Sequence, residues 1–141
     1  MAALKSLVDF QLKNAQELIQ VLSDEKHAIT SRNSQEIEKC AHRKIALINQ
    51  LQTTDQRIGV HPDIDTLQKD DELAKIVKRI QLLVDDCKQE NLINGEALQR
   101  AQLSFNKLNN LMQQTQGKLG MTYDAGGQTK NVTTLGTNLK A

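Results

Sequence analysis

The fold is decided by residues 77–112, which read VKRIQLLVDDCKQENLINGEALQRAQLSFNKLNNLM. Within this stretch, positions that belong to one helical face recur at intervals of three and four residues. These positions are Val77, Ile80, Val84, Cys87, Asn91, Asn94, Leu98, Ala101, Phe105, Leu108 and Met112. If the helix is unbroken from about residue 65 to 116, it is roughly 75 Å long. Gly95 is less favourable than Ala within a helix by about 1 kcal/mol, so a bend at Gly95 is the alternative.

Two amphipathic stretches precede this one. In the first, residues 4–29 carry apolar side chains at three–four spacing, with Lys26 as the one polar interruption. In the second, residues 37–58 repeat the pattern, and one position of the stripe falls on Ile45 or Lys44. Both stretches are long enough to pack in a helical bundle or a coiled coil.

The segments that follow these two stretches contain residues that commonly begin or end helices. Asn33 and Glu36 have the spacing of a capping box, and Gly59 with Pro62 after it is a common C-terminal signal. The short loop between the first two helices predicts an antiparallel hairpin about 40 Å long. The third helix is expected to run back along the second.

Composition predicts an all-α protein with a helical body and a tail. Hydrophobic residues make up 38% of the 141 residues and aromatic residues 2%, which is typical of long-helix proteins. Five of the seven glycines lie in residues 117–141, a segment without helical periodicity. We therefore predict a helical hairpin plus one long helix over residues 1–116, and a flexible Gly-rich tail over residues 117–141.

Charge and hydropathy disfavour nucleic acid and membranes as partners. The formal net charge is +1, and neither the body nor the tail has the concentrated basic field that binding to phosphates requires. The sequence contains no apolar run of about 18 residues and no secretory signal. Cys40 and Cys87 fall on or beside apolar stripes, as small core residues do in a reducing compartment. The chain is expected to be cytoplasmic.

No constellation of residues predicts catalysis, a metal or a cofactor. Cys40 and His42 are two residues apart, which places them on different faces of a helix. No second close pair completes a set of four metal ligands. The paired aspartates at 70–71 and 85–86 are adjacent and point to two faces, and Gly117-Lys118 lacks the spacing of a phosphate-binding loop. We expect no enzyme activity.

The far half of the third helix suggests a binding surface. The hairpin can cover only about residues 65–92, so residues 95–116 would project beyond it with more apolar surface than a monomer leaves exposed. The apolar residues concerned are Leu98, Leu103, Phe105, Leu108, Leu111 and Met112. Either the chain folds back at Gly95 as a fourth helix, or another chain covers this face.

Asn91 and Asn94 occupy positions where the stripe calls for apolar side chains. One interpretation is that the helix face rotates, so that Leu92 and Ile93 become the buried residues. A second interpretation is a structural polar layer that fixes the register of the helices. A hinge or a contact with a partner beside Gly95 is the third.

Tyr123 is the chain's single tyrosine and lies in the glycine-rich segment. It is either incidental or an aromatic anchor that binds in a pocket of a partner.

Taken together, these stretches resemble the flagellar type III export chaperone family FlgN over nearly the whole chain. The resemblance lies in NSQEIEK at residues 33–39 with KIALINQL at 44–51, in CKQENLIN at 87–94, and above all in TYDAGGQT at 122–129. Family members carry a tyrosine followed by a small, acidic and Gly-Gln-Thr run after the last helix. Here Asp124, Ala125 and Gly126 depart slightly from that order.

The resemblance implies a cytoplasmic chaperone, without enzyme activity, that binds hook–filament junction proteins and delivers them to the export gate. The cargo's amphipathic C-terminal segment would bind the far end of the third helix, so Phe105→Ala or Leu108→Ala would weaken cargo binding. The cargo-binding residues would be Leu98, Ala101, Phe105, Leu108, Leu111 and Met112. Tyr123 would bind the cytoplasmic domain of the gate. The alternative is a structural coiled-coil homo-oligomer, such as a homodimer, with an inert tail.

Overall fold

The computed structural model describes residues 2–101 and 106–123 and consists of five helices. These are α1 (Ala2–Thr30), α2 (Ser34–Gly59), α3 (Thr66–Lys69), α4 (Asp71–Arg100) and α5 (Asn106–Tyr123). In the described ranges every element of regular secondary structure is helical, which confirms the all-α prediction. None of these helices has both the length and the apolar character needed to cross a membrane.

The turn between α1 and α2 forms as the sequence predicts. The amide of Arg32 donates to Ile29 O (3.0 Å) and that of Asn33 to Ala28 O (3.0 Å), as in a Schellman motif. Arg32 occupies the left-handed position of this motif, with φ of 56°. The side chain of Asn33 then accepts a hydrogen bond from the amide of Glu36 and caps α2.

The third amphipathic stretch is divided into separate helices. Asp70 has an extended backbone, and its side chain caps α4 by accepting from the amide of Leu73 (3.0 Å). The helix that the sequence allows to begin at about residue 65 therefore begins at Asp71, and α3 is a separate short helix before it. Asp71 and Glu72 lie in the first turn of α4, where negative charge favours the helix dipole.

At the far end of this stretch the structure takes the fold-back alternative, although the break is not at Gly95. Helix α4 continues through Gly95 and ends at Arg100, and the chain then reverses so that α5 returns along α4. The guanidinium of Arg32 donates to Ala101 O (2.6 Å), where a cation at the C-terminal end of a helix is favourable. The chain thus reverses beyond residue 100 rather than at Gly95.

Four helices form the bundle. Helix α1 packs against α2 and α4, and α5 lies between α2 and α4 on the side opposite α1. α1 runs antiparallel to α2 and parallel to α4, and α5 runs parallel to α2. The antiparallel hairpin is as predicted. Helix α4 also has the predicted direction, antiparallel to α2, but it packs along α1 rather than along α2.

The core consists of three apolar clusters along the bundle. The first is centred on Leu4, Val8, Ile58, Leu73, Val77 and Ile80. The second contains Leu18, Leu22, Ile48, Leu51, Cys87 and Leu119. The third contains Ala28, Ile29, Ile37, Leu98, Leu108 and Met112. Helix α5 contributes to the second and third clusters.

The last helix is longer than composition suggests. Residues 117–123, which we assigned to the tail, continue α5. Leu119 is buried, and with Leu108, Met112 and Thr115 it forms a stripe at helical spacing. This stripe explains why the helix passes through Gly117, where an added Cβ would meet no atom within 4 Å. Residues 124–141 lie outside the described residues.

At Gly95, α4 comes close to α5. A Cβ atom at Gly95 would lie 2.6 Å from Gln116 Nε2 and 3.4 Å from Met112 Cγ. The first of these atoms is at the end of a flexible side chain and can move. A single methyl group is therefore tolerable, whereas a branched side chain would push against α5.

We expect Gly95→Val to loosen α5, and Gly95→Ala to be close to neutral because higher helix propensity offsets the shift of Gln116. Limited trypsin digestion at Lys118 measures this directly. We expect cleavage to be several-fold faster in Gly95→Val than in the wild-type protein or in Gly95→Ala. Cleavage of Gly95→Val at the unchanged rate would show that α5 does not pack closely here.

Candidate functional site

The surface that the sequence predicts for cargo is covered by the chain's own last helix. Leu98 of α4 is 1% exposed, and Leu108 and Met112 of α5 are 6% and 5% exposed. They lie in the same apolar cluster, together with residues of α1 and α2. The expectation of an exposed, projecting apolar end is therefore wrong, because α5 folds back and buries that end.

The other predicted cargo residues are less central. Ala101 and Leu111 are half-buried, and Ala101 packs at the edge of the same cluster. Phe105 lies outside the described residues. The structure thus brings together four of the six predicted side chains, but across an interface within the chain.

We call the surface of α2 and α4 that α5 covers the α5 groove. At its outer edges, polar contacts connect α5 to α2. Lys107 Nζ lies 2.7 Å from Glu38 Oε2, and a hydrogen bond from the Lys107 ammonium lowers the pKa of Glu38. Gln52 Nε2 donates to Lys118 O (3.3 Å), and Lys118 Nζ donates to Asn49 Oδ1 (3.3 Å). These contacts are solvent-accessible, and pairs of this kind contribute little to stability.

The floor of the α5 groove contains a buried ion pair. Lys44 of α2 and Glu25 of α1 both have side chains that are 0% exposed, and Lys44 Nζ lies 2.9 Å from Glu25 Oε2 and 3.0 Å from Oε1. The same ammonium donates to Asn91 Oδ1 (2.6 Å) and to Met112 Sδ (3.5 Å). Four helices therefore meet at one charged group.

Asn94 and Thr115 complete this buried polar cluster. Asn94 Nδ2 donates to Leu22 O (2.9 Å) and to Glu25 Oε1 (2.9 Å). Asn91 Nδ2 donates to Thr115 Oγ1 (3.4 Å), and that hydroxyl donates to Met112 O (2.8 Å). We refer to Glu25, Lys44, Asn91, Asn94, Met112 and Thr115 as the polar layer.

The polar layer decides between the interpretations of the two asparagines. Both are buried, whereas Leu92 is 56% and Ile93 42% exposed, so the helix face does not rotate. Asn91 contacts α2 and α5, and Asn94 contacts α1. This arrangement agrees with a layer of buried polar groups, and its role in fixing register remains a proposal.

Sequence reasoning missed the ion pair at the centre of the layer. Lys26 was expected to interrupt the stripe of α1, but Lys26 is exposed and pairs with Glu90 at the surface (2.9 Å), while Glu25 is buried. On α2, Lys44 rather than Ile45 occupies the stripe. The available signal was one acidic and one basic residue that interrupt the stripes of two neighbouring helices.

Burial makes the ion pair costly for the fold. Removal from water lowers the pKa of Lys44, and the Glu25 carboxylate acts in the opposite direction. The desolvation of a buried pair often cancels the attraction between its charges, but removing one partner leaves a buried charge uncompensated. The polar layer therefore contributes little net stability. Removing one of its charged partners is nevertheless strongly destabilising.

The remaining predicted features are structural or lie outside the described residues. Cys40 and Cys87 are buried free thiols, and burial raises the pKa of Cys87 to about 12. Among the described residues, no three His, Cys, Asp or Glu side chains come close enough to hold a metal. Tyr123 is the last residue of α5, and its side chain lies outside the described residues.

Comparison with known proteins identifies the family. The family model described as FlgN protein matches residues 1–131, and the chain belongs to this family of flagellar type III export chaperones. No curated protein and no solved structure gives a significant match.

We expect Lys44→Met to reduce the free energy of unfolding by about 3–5 kcal/mol, because Glu25 stays buried without its partner. The double variant with Glu25→Met should recover at least half of this loss. Urea unfolding at neutral pH measures both changes.

Lys26→Met is the matched control, since it removes a partner of the exposed pair with Glu90 and should cost about 1 kcal/mol or less. If Lys44→Met costs no more than Lys26→Met, the ion pair is not desolvated in solution as it is in this structure.

Proposed function

We propose that this chain binds the C-terminal segments of hook–filament junction proteins, keeps these proteins soluble in the cytoplasm and delivers them to the flagellar export gate. The observation that supports this proposal most directly is the α5 groove. It is an apolar groove with a polar floor, and it already holds one amphipathic helix, which is a known mode of peptide recognition. In this proposal, α5 occupies the groove in the absence of cargo, and a cargo helix takes its place.

The contacts of α5 suit a helix that can be replaced. Its buried apolar side chains in the described residues are Leu108, Met112 and Leu119. Burial of such a side chain contributes about 1.5–3 kcal/mol. A cargo helix with three similar residues would match that contribution. The edge contacts of Lys107 and Lys118 are accessible to water and oppose exchange only weakly.

The position of α5 divides the predicted cargo residues into two groups. Leu98 lies on α4, in the groove, and would contact cargo. Leu108, Leu111 and Met112 lie on α5 and would leave the groove when cargo enters. The second group would thus act against cargo binding by stabilising the closed form. When only a fraction of the protein is in the open form that binds cargo, the apparent dissociation constant for cargo rises as that fraction falls.

The α5 groove also bears on the alternative function. A coiled-coil homo-oligomer through residues 98–112 would need that face to be exposed in the single chain. Leu98, Leu108 and Met112 are instead buried by the chain itself. In the closed form these three side chains are therefore not available to a second copy of the chain.

We assign gate binding to Tyr123, on the basis of the family resemblance and its place at the end of α5. When α5 leaves the groove, Tyr123 would move with it. Cargo binding and presentation of the tyrosine to the gate would then be coupled through one helix. A tyrosine supplies a large apolar ring with a polar end, which suits an anchor at an interface.

We expect Leu108→Ala to tighten cargo binding by at least tenfold, because the loss of a buried leucine costs about 2–5 kcal/mol and favours the open form. This expectation reverses the direction that the sequence suggests, since Leu108 belongs to the covering helix. Leu98→Ala is the control. Leu98 would contact α5 in the closed form and cargo in the complex, so the substitution weakens both contacts and changes the cargo affinity less. Titration calorimetry with the C-terminal segment of a junction protein compares the two. Weaker cargo binding by Leu108→Ala than by Leu98→Ala would contradict the replacement of α5.

We expect Tyr123→Ala to weaken binding to the cytoplasmic domain of the export gate by at least tenfold and to leave cargo binding within twofold. Tyr123→Phe should retain most of the gate affinity if the ring provides the anchor. Pull-down and surface plasmon resonance with both partners make the comparison. A loss of cargo affinity in Tyr123→Ala as large as its loss of gate affinity would refute this division.

A further inference from the structure

The polar layer gives the α5 groove a chemical requirement that the apolar clusters do not. Lys44 has three N–H donors, and they are used by the Glu25 carboxylate, by Asn91 Oδ1 and by Met112 Sδ. The amide group of Asn91 also donates to the hydroxyl of Thr115. Helix α5 therefore supplies two acceptors to the floor of the groove, from residues three positions apart on one face.

A helix without these acceptors would leave buried donors unsatisfied. If an incoming helix offered only hydrocarbon at these two positions, one N–H of Lys44 and the Nδ2 amide of Asn91 would lose their partners. Both residues are almost fully shielded from water by the bundle. A site built to hydrogen-bond a hydroxyl rejects an analogue without one more strongly than a hydrophobic pocket rejects a change of one methylene.

The hydroxyl can also act as a donor, and in the free chain it donates to Met112 O of its own helix (2.8 Å). Among the buried oxygens of the layer, Asn94 Oδ1 has no hydrogen-bond partner in the described residues, whereas Glu25 Oε2 lies 2.9 Å from Lys44 Nζ in the ion pair. The groove therefore favours a side chain that accepts from Asn91 Nδ2 and can direct its own proton to an acceptor. A Ser or Thr hydroxyl meets this condition in a small volume.

We propose that the polar layer selects the helix in the α5 groove by a Ser or Thr hydroxyl, which is Thr115 in the free chain and an equivalent residue in the cargo. This inference rests on the proposed function, since it describes the helix that replaces α5. The partner it defines is an amphipathic helix with a Ser or Thr within its apolar face. Three residues before that hydroxyl, the helix carries a second side chain that can accept a hydrogen bond from Lys44.

The free chain provides the first test. Thr115→Val removes the hydroxyl and keeps the shape of the side chain, whereas Thr115→Ser keeps the hydroxyl. We expect the amides of α5 to exchange with deuterium about tenfold faster in Thr115→Val and at nearly the unchanged rate in Thr115→Ser. Thr53→Val, which alters an exposed threonine of α2, should leave α5 unaffected.

Coupling to Asn91 separates recognition from a local effect within α5. Thr115 also bonds the carbonyl of Met112 in its own helix, so its removal could loosen α5 without any role for the polar layer. In an Asn91→Ala background, Thr115→Val should cause little further change. If the full effect persists in that background, or if Thr115→Ser exchanges as fast as Thr115→Val, the proposal fails. Should Asn91→Ala not fold, the same comparison is made in an Asn91→Asp background, which keeps the acceptor for Lys44 and removes the donor to Thr115.

The cargo provides the second test. Each Ser and Thr in the C-terminal segment of a hook–filament junction protein from the same organism is replaced in turn, and its affinity for the full chain is measured. We expect the removal of one hydroxyl to lower the affinity about tenfold for the wild-type chain. The same removal should have little effect on the affinity for the Asn91→Ala variant. If the segment binds and no single Ser or Thr replacement lowers its affinity more than twofold, the proposal is overturned. If no such segment binds the unchanged chain, the proposed function fails, and the exchange rates of the Thr115 variants decide the hydroxyl recognition by themselves.

Discussion

The buried ion pair between Lys44 and Glu25 is the constraint on which the rest of the bundle depends. An ammonium without access to water must have all its donors matched, and the matching groups come from α1, α4 and α5. A shift of any helix by one turn would leave a buried charge or amide without its partner. Apolar clusters alone tolerate such shifts better, because leucines in neighbouring layers are interchangeable.

In the proposed function α5 is the helix that cargo replaces, and the contacts of the ion pair support this choice. The pair itself is formed by α1 and α2, and Asn91 and Asn94 of α4 complete most of its hydrogen bonds. Helix α5 adds only a thioether and a hydroxyl, which are the weakest partners of the layer. The three-helix part would therefore retain most of these polar contacts if α5 left the groove. In the proposed function, this lets cargo open the groove without an energy source in the same chain.

Local signals in the sequence were sufficient for the helices and their caps, but not for the reversal of the chain. Asn33 and Glu36 identify the start of α2 because a cap depends on neighbouring residues. The stripe from Leu98 through Ala101 and Phe105 to Leu108 keeps helical spacing across the point where the chain turns, and no proline or glycine interrupts it. A continuous helix and two antiparallel helices give the same pattern there. The difference lies in tertiary contacts, namely Gly95 against Met112 and Gln116, and Arg32 against Ala101.

The candidate site was predictable only in part for the same reason. Leu98, Leu108 and Met112 belong to one apolar cluster, but the sequence did not show that they lie on two helices that face each other. Asn91 and Asn94 were noticeable because polar residues are rare on a stripe, whereas Glu25 and Lys44 were hidden beside exposed charges. Charged residues are so common on helix surfaces that their burial is visible only when the partner helix is in place.

Hydrogen exchange of α5 during cargo binding tests the central claim most directly. The amides of residues 108–119 should be protected in the chain without cargo and lose that protection when the C-terminal segment of a junction protein is bound, while α4 around Leu98 stays protected. Unchanged or increased protection of α5 in the complex would show that cargo binds elsewhere and that the α5 groove is only part of the core.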